Sequence, residues 1–298
     1  TTTFIPCSAK LPVIGLLAGA LFNNSAWVGW SAYFLGVCAI VFSGIVLKKT
    51  KMFAGQPAPF VMELPAYHLP RPIDILKSMA ERGMSFVKKA GTVILLATIL
   101  VWFLSRFNFR MQYLPEEDMD TSILAAFGNA FTWLFAPLGW GKWKAVVAAL
   151  TGLIAKENVV GTFGTLFHYQ GAEELAESGD QIWAQVREYF GNGIAGYSFL
   201  AFNLLCAPCF AAIGAIKREM NNGRWTMFAI GWECFLAYCV SLVIYQIGGL
   251  IAGVVSFNFF TIVAIALILI GIWGLLRPYK EAETLSEKQE RAIEKAMA

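Results

Sequence analysis

Two cysteines stand three positions apart in Leu205-Cys206-Ala207-Pro208-Cys209-Phe210, within a stretch free of charged residues that runs from Glu188 to Lys217. On a continuous helix Cys206 and Cys209 share a face, while Pro208 removes a backbone donor and frees a carbonyl. Two thiols with liberated carbonyls suit a soft or borderline divalent metal such as Fe2+ better than Na+ or Ca2+. A zinc site wants two further ligands, and the two histidines of the chain, His68 and His168, lie away from the middle of any apolar run. Small buried cysteines acting as packing elements fit the same pattern.

Three further places carry groups that an apolar environment tolerates poorly. Lys156-Glu157 lies in Thr151-Gly152-Leu153-Ile154-Ala155-Lys156-Glu157-Asn158-Val159-Val160-Gly161. Adjacent residues project about 100° apart on a helix, so the two charges can face different partners. Gly152 and Gly161 flank them and permit a broken helix whose free carbonyls can meet a cation. A neutralised structural pair is the plainer reading. Pro6-Cys7-Ser8-Ala9-Lys10-Leu11-Pro12 brings a thiol, a hydroxyl and a lysine together between helix-breaking Pro6 and Pro12, and Lys10 is read as snorkelling to an interface. Glu233, next to Cys234, is a fourth acid-bearing position of lower rank.

The elements that must position these groups follow from composition. Of 298 residues, 57% are hydrophobic and only 14% charged. A soluble domain carries about 25% charged residues, so the chain lacks the polar surface to coat a water-soluble globule. Disordered, collagen-like and nucleic-acid-binding classes are excluded on the same grounds. Between Lys10 and Lys48 there are 37 consecutive uncharged residues, and between Glu233 and Arg277 there are 43, each enough for about two helical crossings. The expected fold is an all-α polytopic membrane protein with about eight transmembrane helices, at roughly 4–22, 27–47, 88–105, 122–139, 145–167, 196–216, 225–249 and 255–276. With that layout one side holds 18 basic residues and the other three, which places the C-terminus in the cytoplasm. Reading 122–139 as re-entrant puts Lys217 and Arg218 on the wrong side, so it is counted as a crossing.

The connection 48–89 opens with a Pro-rich part, from Pro57 to Pro72, and continues with Ile73, Leu76, Met79 and Ala80 at helical spacing, as an interfacial amphipathic helix should. The tail from Leu285 alternates charges at helical spacing and reads as a solvated helix. Gly15 with Gly19, and Gly249 with Gly253, form small-xxx-small pairs suited to close helix contact. All six cysteines fall in or beside apolar spans, which favours buried thiols over a disulfide framework. No signal peptide is visible, and an opening of Thr1-Thr2-Thr3 without methionine reads as a piece of a longer protein.

Taken together, these motifs resemble the ferrous iron transport protein B (FeoB) family. The matching residues are Pro6-Cys7-Ser8-Ala9-Lys10-Leu11-Pro12-Val13, Met62-Glu63-Leu64-Pro65-Ala66-Tyr67 with Pro70, Gly152-Leu153-Ile154-Ala155-Lys156-Glu157, and Cys206-Ala207-Pro208-Cys209-Phe210-Ala211-Ala212-Ile213 followed by Lys217-Arg218-Glu219. The resemblance implies the C-terminal part of the family's membrane domain, with a gate-type, nucleoside-transporter-like bundle of broken helices. It divides the chain into 1–47 (two spans ending the central membrane region), 48–89 (cytoplasmic connector), 90–276 (a second gate-type domain of six spans) and 277–298 (cytoplasmic tail). Fe2+ is the implied transported substrate, met by Cys206, Cys209 and Cys7 with Glu157 supplying charge. Lys156, Glu233 and Lys10 are implied as gating or charge-compensating groups, with Pro6, Pro12, Pro208, Gly152 and Gly161 as helix breaks. The implied setting is a bacterial inner membrane, with small cytoplasmic Feo accessory proteins and further copies of the chain as partners. Thiolate ligation requires deprotonation, so uptake through such thiols slows in acid.

One family feature is missing from these residues. The family's G domain, which binds GTP and Mg2+, has a phosphate-binding G-x-x-x-x-G-K-[ST] loop; here Gly141-Lys142 is followed by Trp143, and Ala136 replaces the leading glycine. Nucleotide chemistry is therefore expected upstream or on another chain. Two other classes remain open from sequence: a proton- or sodium-coupled solute carrier of nucleoside type using Glu157 and Glu233, and a non-conducting membrane anchor whose 48–89 segment docks a partner.

Overall fold

The computed structural model describes residues 2–50, 71–115, 120–154, 156, 158–167 and 180–277. Among these residues there is no β-strand, only an isolated bridge between Phe107 and Tyr113. The Met62 to Tyr67 motif, Glu157, His168 and the tail beyond Arg277 lie outside the described residues.

The chain opens with 3-10 turns at Thr2–Phe4 and Ser8–Lys10, then α1 (Leu11–Phe22). Pro12 does not break this helix. It sits in the first turn, where its missing N–H costs nothing and its fixed φ favours helix entry. Asn23 closes α1 in the left-handed region at φ 48°. Next come α2 (Ala26–Lys48) and α3 (Pro72–Arg106), followed by α4 (Ile123–Phe135), capped by the Ser122 hydroxyl, which accepts from the Ala125 N–H at 3.1 Å. The expected amphipathic helix and third span are thus one continuous 35-residue helix.

Between Ile123–Leu138 and Trp143–Leu153 the chain turns by 97°. A 3-10 turn at Ala136–Leu138 and Gly139 at φ 88° make this corner. Gly141 closes it, since a Cβ there stands 2.4 Å from the Ala136 Cα. Such a corner is the shape of a broken span or of a re-entrant loop. Beyond it lie α5 (Trp143–Ile154), α6 (Asn158–Leu166) and α7 (Asp180–Phe190), then α8 (Gly193–Leu205), α9 (Phe210–Met220), α10 (Gly223–Ile251) and α11 (Phe259–Leu276).

By length and composition, three of these helices can cross a membrane, Ala26–Lys48, Gly223–Ile251 and Phe259–Leu276, or four if the bent pair is one span. Two single spans expected from the sequence are divided. The region 145–167 is shared by α5 and α6, and 196–216 by α8 and α9. Each piece is shorter than the roughly 20 residues of a crossing.

The core is organised around α8, every residue of which from Phe199 to Leu205 is buried. Its chief neighbour is α10. Ser198 on α8 and Ser241 on α10 lock the pair: their hydroxyls are 2.7 Å apart, and the Ser241 hydroxyl also donates to the Ser198 carbonyl at 2.8 Å. Trp140, Phe135, Phe163, Phe190, Phe199 and Phe202 form a continuous aromatic cluster against this helix. The outer helices show the reverse pattern. Only 11% of the apolar window of α11 is buried, and Trp27 and Trp30 at the start of α2 are exposed, as lipid-facing and interfacial positions should be. Of the expected glycine pairs, Gly19 does give a close helix contact, lying against Trp183 of α7, whereas Gly249 faces Val255 in the turn that follows its own helix.

Candidate functional site

α8 ends at Leu205 because the next residues cannot continue it. Cys206 turns to φ −67°, ψ 167°, and Pro208 disfavours helical backbone at the residue before it. Cys209 is extended as well, at φ −61°, ψ 160°, and caps α9 without a side-chain hydrogen bond. Cys206 and Cys209 therefore do not share a helix face. They bracket an extended segment between two helices, with Cys206 buried and Cys209 half-buried.

A helix end leaves its last carbonyls without intrahelical donors. Here two lysines from distant parts of the chain supply them. The Lys10 ammonium donates to the Leu204 carbonyl at 2.7 Å and to the Thr3 carbonyl at 3.1 Å. The Lys156 ammonium donates to the Asn203 carbonyl at 3.2 Å and to the Cys206 sulfur at 2.9 Å. Both are buried, Lys10 at 4% exposure and Lys156 at 3%. A cation at a helix C-terminus is favoured by the helix dipole. The expectation that Lys10 snorkels to an interface is corrected by this contact: the 3-10 turn Ser8–Lys10 points its side chain inward onto α8.

Glu233 completes the buried charges. It lies within α10 at 3% exposure, and its Oε1 accepts the Thr3 hydroxyl at 2.5 Å. Lys156, Cys206, Cys7 and Glu233 all lie within electrostatic range of Lys10, and Cys234 is within hydrogen-bonding reach of the Ala207 backbone. Two oxygens of this cluster, Glu233 Oε2 and Asn203 Oδ1, are buried and accept no hydrogen bond from the described residues.

Asn203 is the residue that sequence reasoning passed over. It is the polar residue closest to Cys206 on α8, one turn before the break, and its carbonyl also receives the Cys206 thiol at 3.7 Å. An uncharged asparagine in an apolar run gives little warning of this position.

The remaining candidates are more dispersed. Cys7 is exposed. Pro6 lies between the two opening 3-10 turns, with its Cδ against Gly36. Lys156 stands in a turn between α5 and α6, and neither glycine lies at that turn. Gly152 lies inside α5, where a Cβ would stand 2.5 Å from Val159 Cγ2, and Gly161 lies inside α6. Among the described residues, no three His, Cys, Asp or Glu side chains gather to hold a metal ion.

Two family models match: "Ferrous iron transport protein B C terminus" over residues 30–82 and "Nucleoside recognition" over residues 87–223. The chain belongs to the ferrous iron transport protein B family. Relatives named Fe(2+) transporter FeoB include one from Methanocaldococcus jannaschii, 37% identical over 83% of this chain and 36% of the relative, and one from Escherichia coli (strain K12), 32% identical over 92% and 41%. A relative from Porphyromonas gingivalis, named Fe(2+) transport protein A/Fe(2+) transporter FeoB fusion protein, is 33% identical over 83% of this chain and 34% of its own length. The chain thus spans little more than a third of the FeoB proteins it matches. No solved structure matches it.

Proposed function

We propose that this chain is the C-terminal membrane part of a ferrous iron transporter, and that Fe2+ passes the extended segment from Cys206 to Cys209. The observation that carries the reading is a buried thiol at the end of a central helix, beside backbone carbonyls that already bind cationic groups. Names of relatives 33% and 37% identical over 83% of the chain support iron as the cargo. In this reading Cys206 and Cys209 are successive transient ligands rather than parts of one cage, with Cys7 and Glu157 further along the path. Weak, sequential binding is what conduction requires, since a closed multidentate site would retain the metal. Lys10, Lys156 and Glu233 balance charge in the interior.

The same reading treats the bundle as about eight spans, some of them broken: α5 with α6 and α8 with α9 each make one interrupted crossing. It places the C-terminus in the cytoplasm of a bacterium, at the inner membrane, and keeps the four-part division at 47, 89 and 276. GTP and Mg2+ act through a segment outside this chain. Lys142, the nearest approach to a phosphate-loop lysine, is instead engaged by Tyr189, lying 4.8 Å over its ring. Small Feo proteins are the proposed cytoplasmic partners, supported by a relative in which Fe(2+) transport protein A is fused to the transporter, and self-association of the chain is proposed beside them.

The test is uptake into vesicles containing the full-length protein. Flux of radioactive Fe2+, reduced by competing divalent metals, is expected. Sodium- or proton-driven uptake of a nucleoside, indifferent to Fe2+, overturns the reading in favour of a coupled solute carrier.

A further inference from the structure

The C-terminal end of α8 attracts cations, and two of the protein's own already sit on it. They are bound differently. Among the described residues Lys10 donates hydrogen bonds to backbone oxygens alone, those of Thr3 and Leu204, which is the pattern of a plain helix cap. Lys156 contacts an oxygen and a sulfur, the Asn203 carbonyl at 3.2 Å and Cys206 Sγ at 2.9 Å. One carbonyl and one sulfur on neighbouring turns are a mixed donor set of the kind a borderline divalent metal takes.

Asn203 carries a second oxygen that no described residue engages. Asn203 Nδ2 is committed to the Phe199 carbonyl at 3.0 Å, which fixes the amide and leaves Oδ1 buried without a hydrogen bond from the described residues. Asn203 is 3% exposed. Its oxygen lies toward α5, where a Cβ on Gly152 would stand 3.4 Å from it. A buried acceptor without a protein donor is a place where a water or an ion can bind.

We propose that the Lys156 ammonium is a stand-in for the transported cation: it fills a seat formed by the Asn203 carbonyl and the Cys206 sulfur, and yields it to an incoming divalent metal that Asn203 Oδ1 helps to hold. The inference rests on reading the chain as a metal path, and adds to that reading a ligand, Asn203, and a seat-holder. The exchange breaks no covalent bond. One cation replaces another on the same oxygen and sulfur, and the flexible four-carbon stem of lysine lets its head withdraw. The seat is then never a bare cation trap, and the metal leaves when the ammonium returns.

A seat-holder and a structural lysine differ in what their loss does. In vesicles containing the full-length transporter, Lys156→Met is expected to lower KM for Fe2+ about tenfold and to lower maximal uptake about tenfold, the signature of tighter binding and slower release. Asn203→Leu is expected to raise KM about tenfold, with Asn203→Asp, which restores an oxygen, recovering most of it. An unchanged or raised KM in Lys156→Met overturns the proposal, as does an unchanged KM in Asn203→Leu. Should either variant fail to fold, X-ray absorption of the wild-type protein loaded with Zn2+ decides: one sulfur neighbour at about 2.3 Å with oxygens at about 2.0–2.2 Å is expected. An oxygen-only shell, or no bound metal, overturns it. Wild-type protein that takes up no Fe2+ removes the transport reading itself, whereas normal wild-type uptake with an unaltered Lys156→Met KM removes only the stand-in.

Discussion

Lys156 and Cys206 are 50 residues apart in the chain and meet at 2.9 Å in its interior, ammonium to sulfur. The contact joins the interval between α5 and α6 to the interval between α8 and α9. Two interruptions of helix are thereby closed on each other, each supplying what the other lacks: free carbonyls and a thiol on one side, N–H donors on the other.

Lys10 is the simpler of the two caps, and its loss should register in stability. Lys10→Met removes the donor to the Leu204 carbonyl. A buried cation at a helix C-terminus contributes up to about 2 kcal/mol, and a loss of about that size is expected in denaturant unfolding of the detergent-solubilised protein. Unchanged stability rules out the capping role.

The corner before α5 depends on glycine. In Gly141→Ala the new Cβ meets the Ala136 Cα at 2.4 Å and the Ala136 nitrogen at 2.5 Å, atoms of the backbone that cannot rotate away. Overpacking of this kind costs about 1–3 kcal/mol or more. A markedly lowered unfolding midpoint is expected, whereas Gly161→Ala, with nothing within 4 Å of its Cβ, should change it little. Equal effects of the two substitutions contradict the close packing of the corner.

Thr3 matters through Glu233. Thr3→Val removes the hydroxyl that Glu233 Oε1 accepts at 2.5 Å, in a carboxylate whose other oxygen accepts no hydrogen bond from the described residues. The expected destabilisation is about 1–3 kcal/mol, the cost of an unsatisfied buried acceptor. Thr3→Ser, which keeps the hydroxyl, should retain most of the stability; a Ser variant as weak as the Val variant argues against this hydrogen bond.

Thiol reactivity should follow the burial order. Cys7 is exposed, Cys209 half-buried and Cys206 buried beneath Lys156. With single-cysteine versions and a small uncharged alkylating reagent, Cys206 is expected to react at least about tenfold more slowly than Cys209. Added Fe2+ should slow Cys209 further. Alkylation of Cys206 as fast as Cys209 contradicts its enclosure.

Much of this arrangement was legible in the residues alone, for a physical reason. A charge or proline inside an apolar run violates the local pattern, so Lys156, Glu233 and the Cys206-Ala207-Pro208-Cys209 stretch stood out without any structure. What stayed hidden depends on long-range folding. Lys10 lies at the edge of its apolar run, which invites an interfacial reading, yet it reaches a carbonyl 194 residues away. Asn203 carries no charge, and its importance appears only once α8 ends two residues later. Hydrophobic runs count crossings but do not show where a helix is interrupted, so 145–167 and 196–216 each read as one helix and are two. Helical spacing pairs the Cys206 and Cys209 side chains, a geometry that the extended backbone between α8 and α9 cancels.

The most direct measurement for the path itself is the initial rate of Fe2+ uptake by vesicles containing the full-length transporter, compared between wild type and the Cys206→Ser/Cys209→Ser double variant at equal inserted protein. Serine keeps the size of the side chain and removes the soft sulfur ligand. A fall of at least about tenfold, with a small change in uptake for Cys38→Ser, is the predicted result. Uptake by the double variant at the wild-type rate contradicts a path through these thiols.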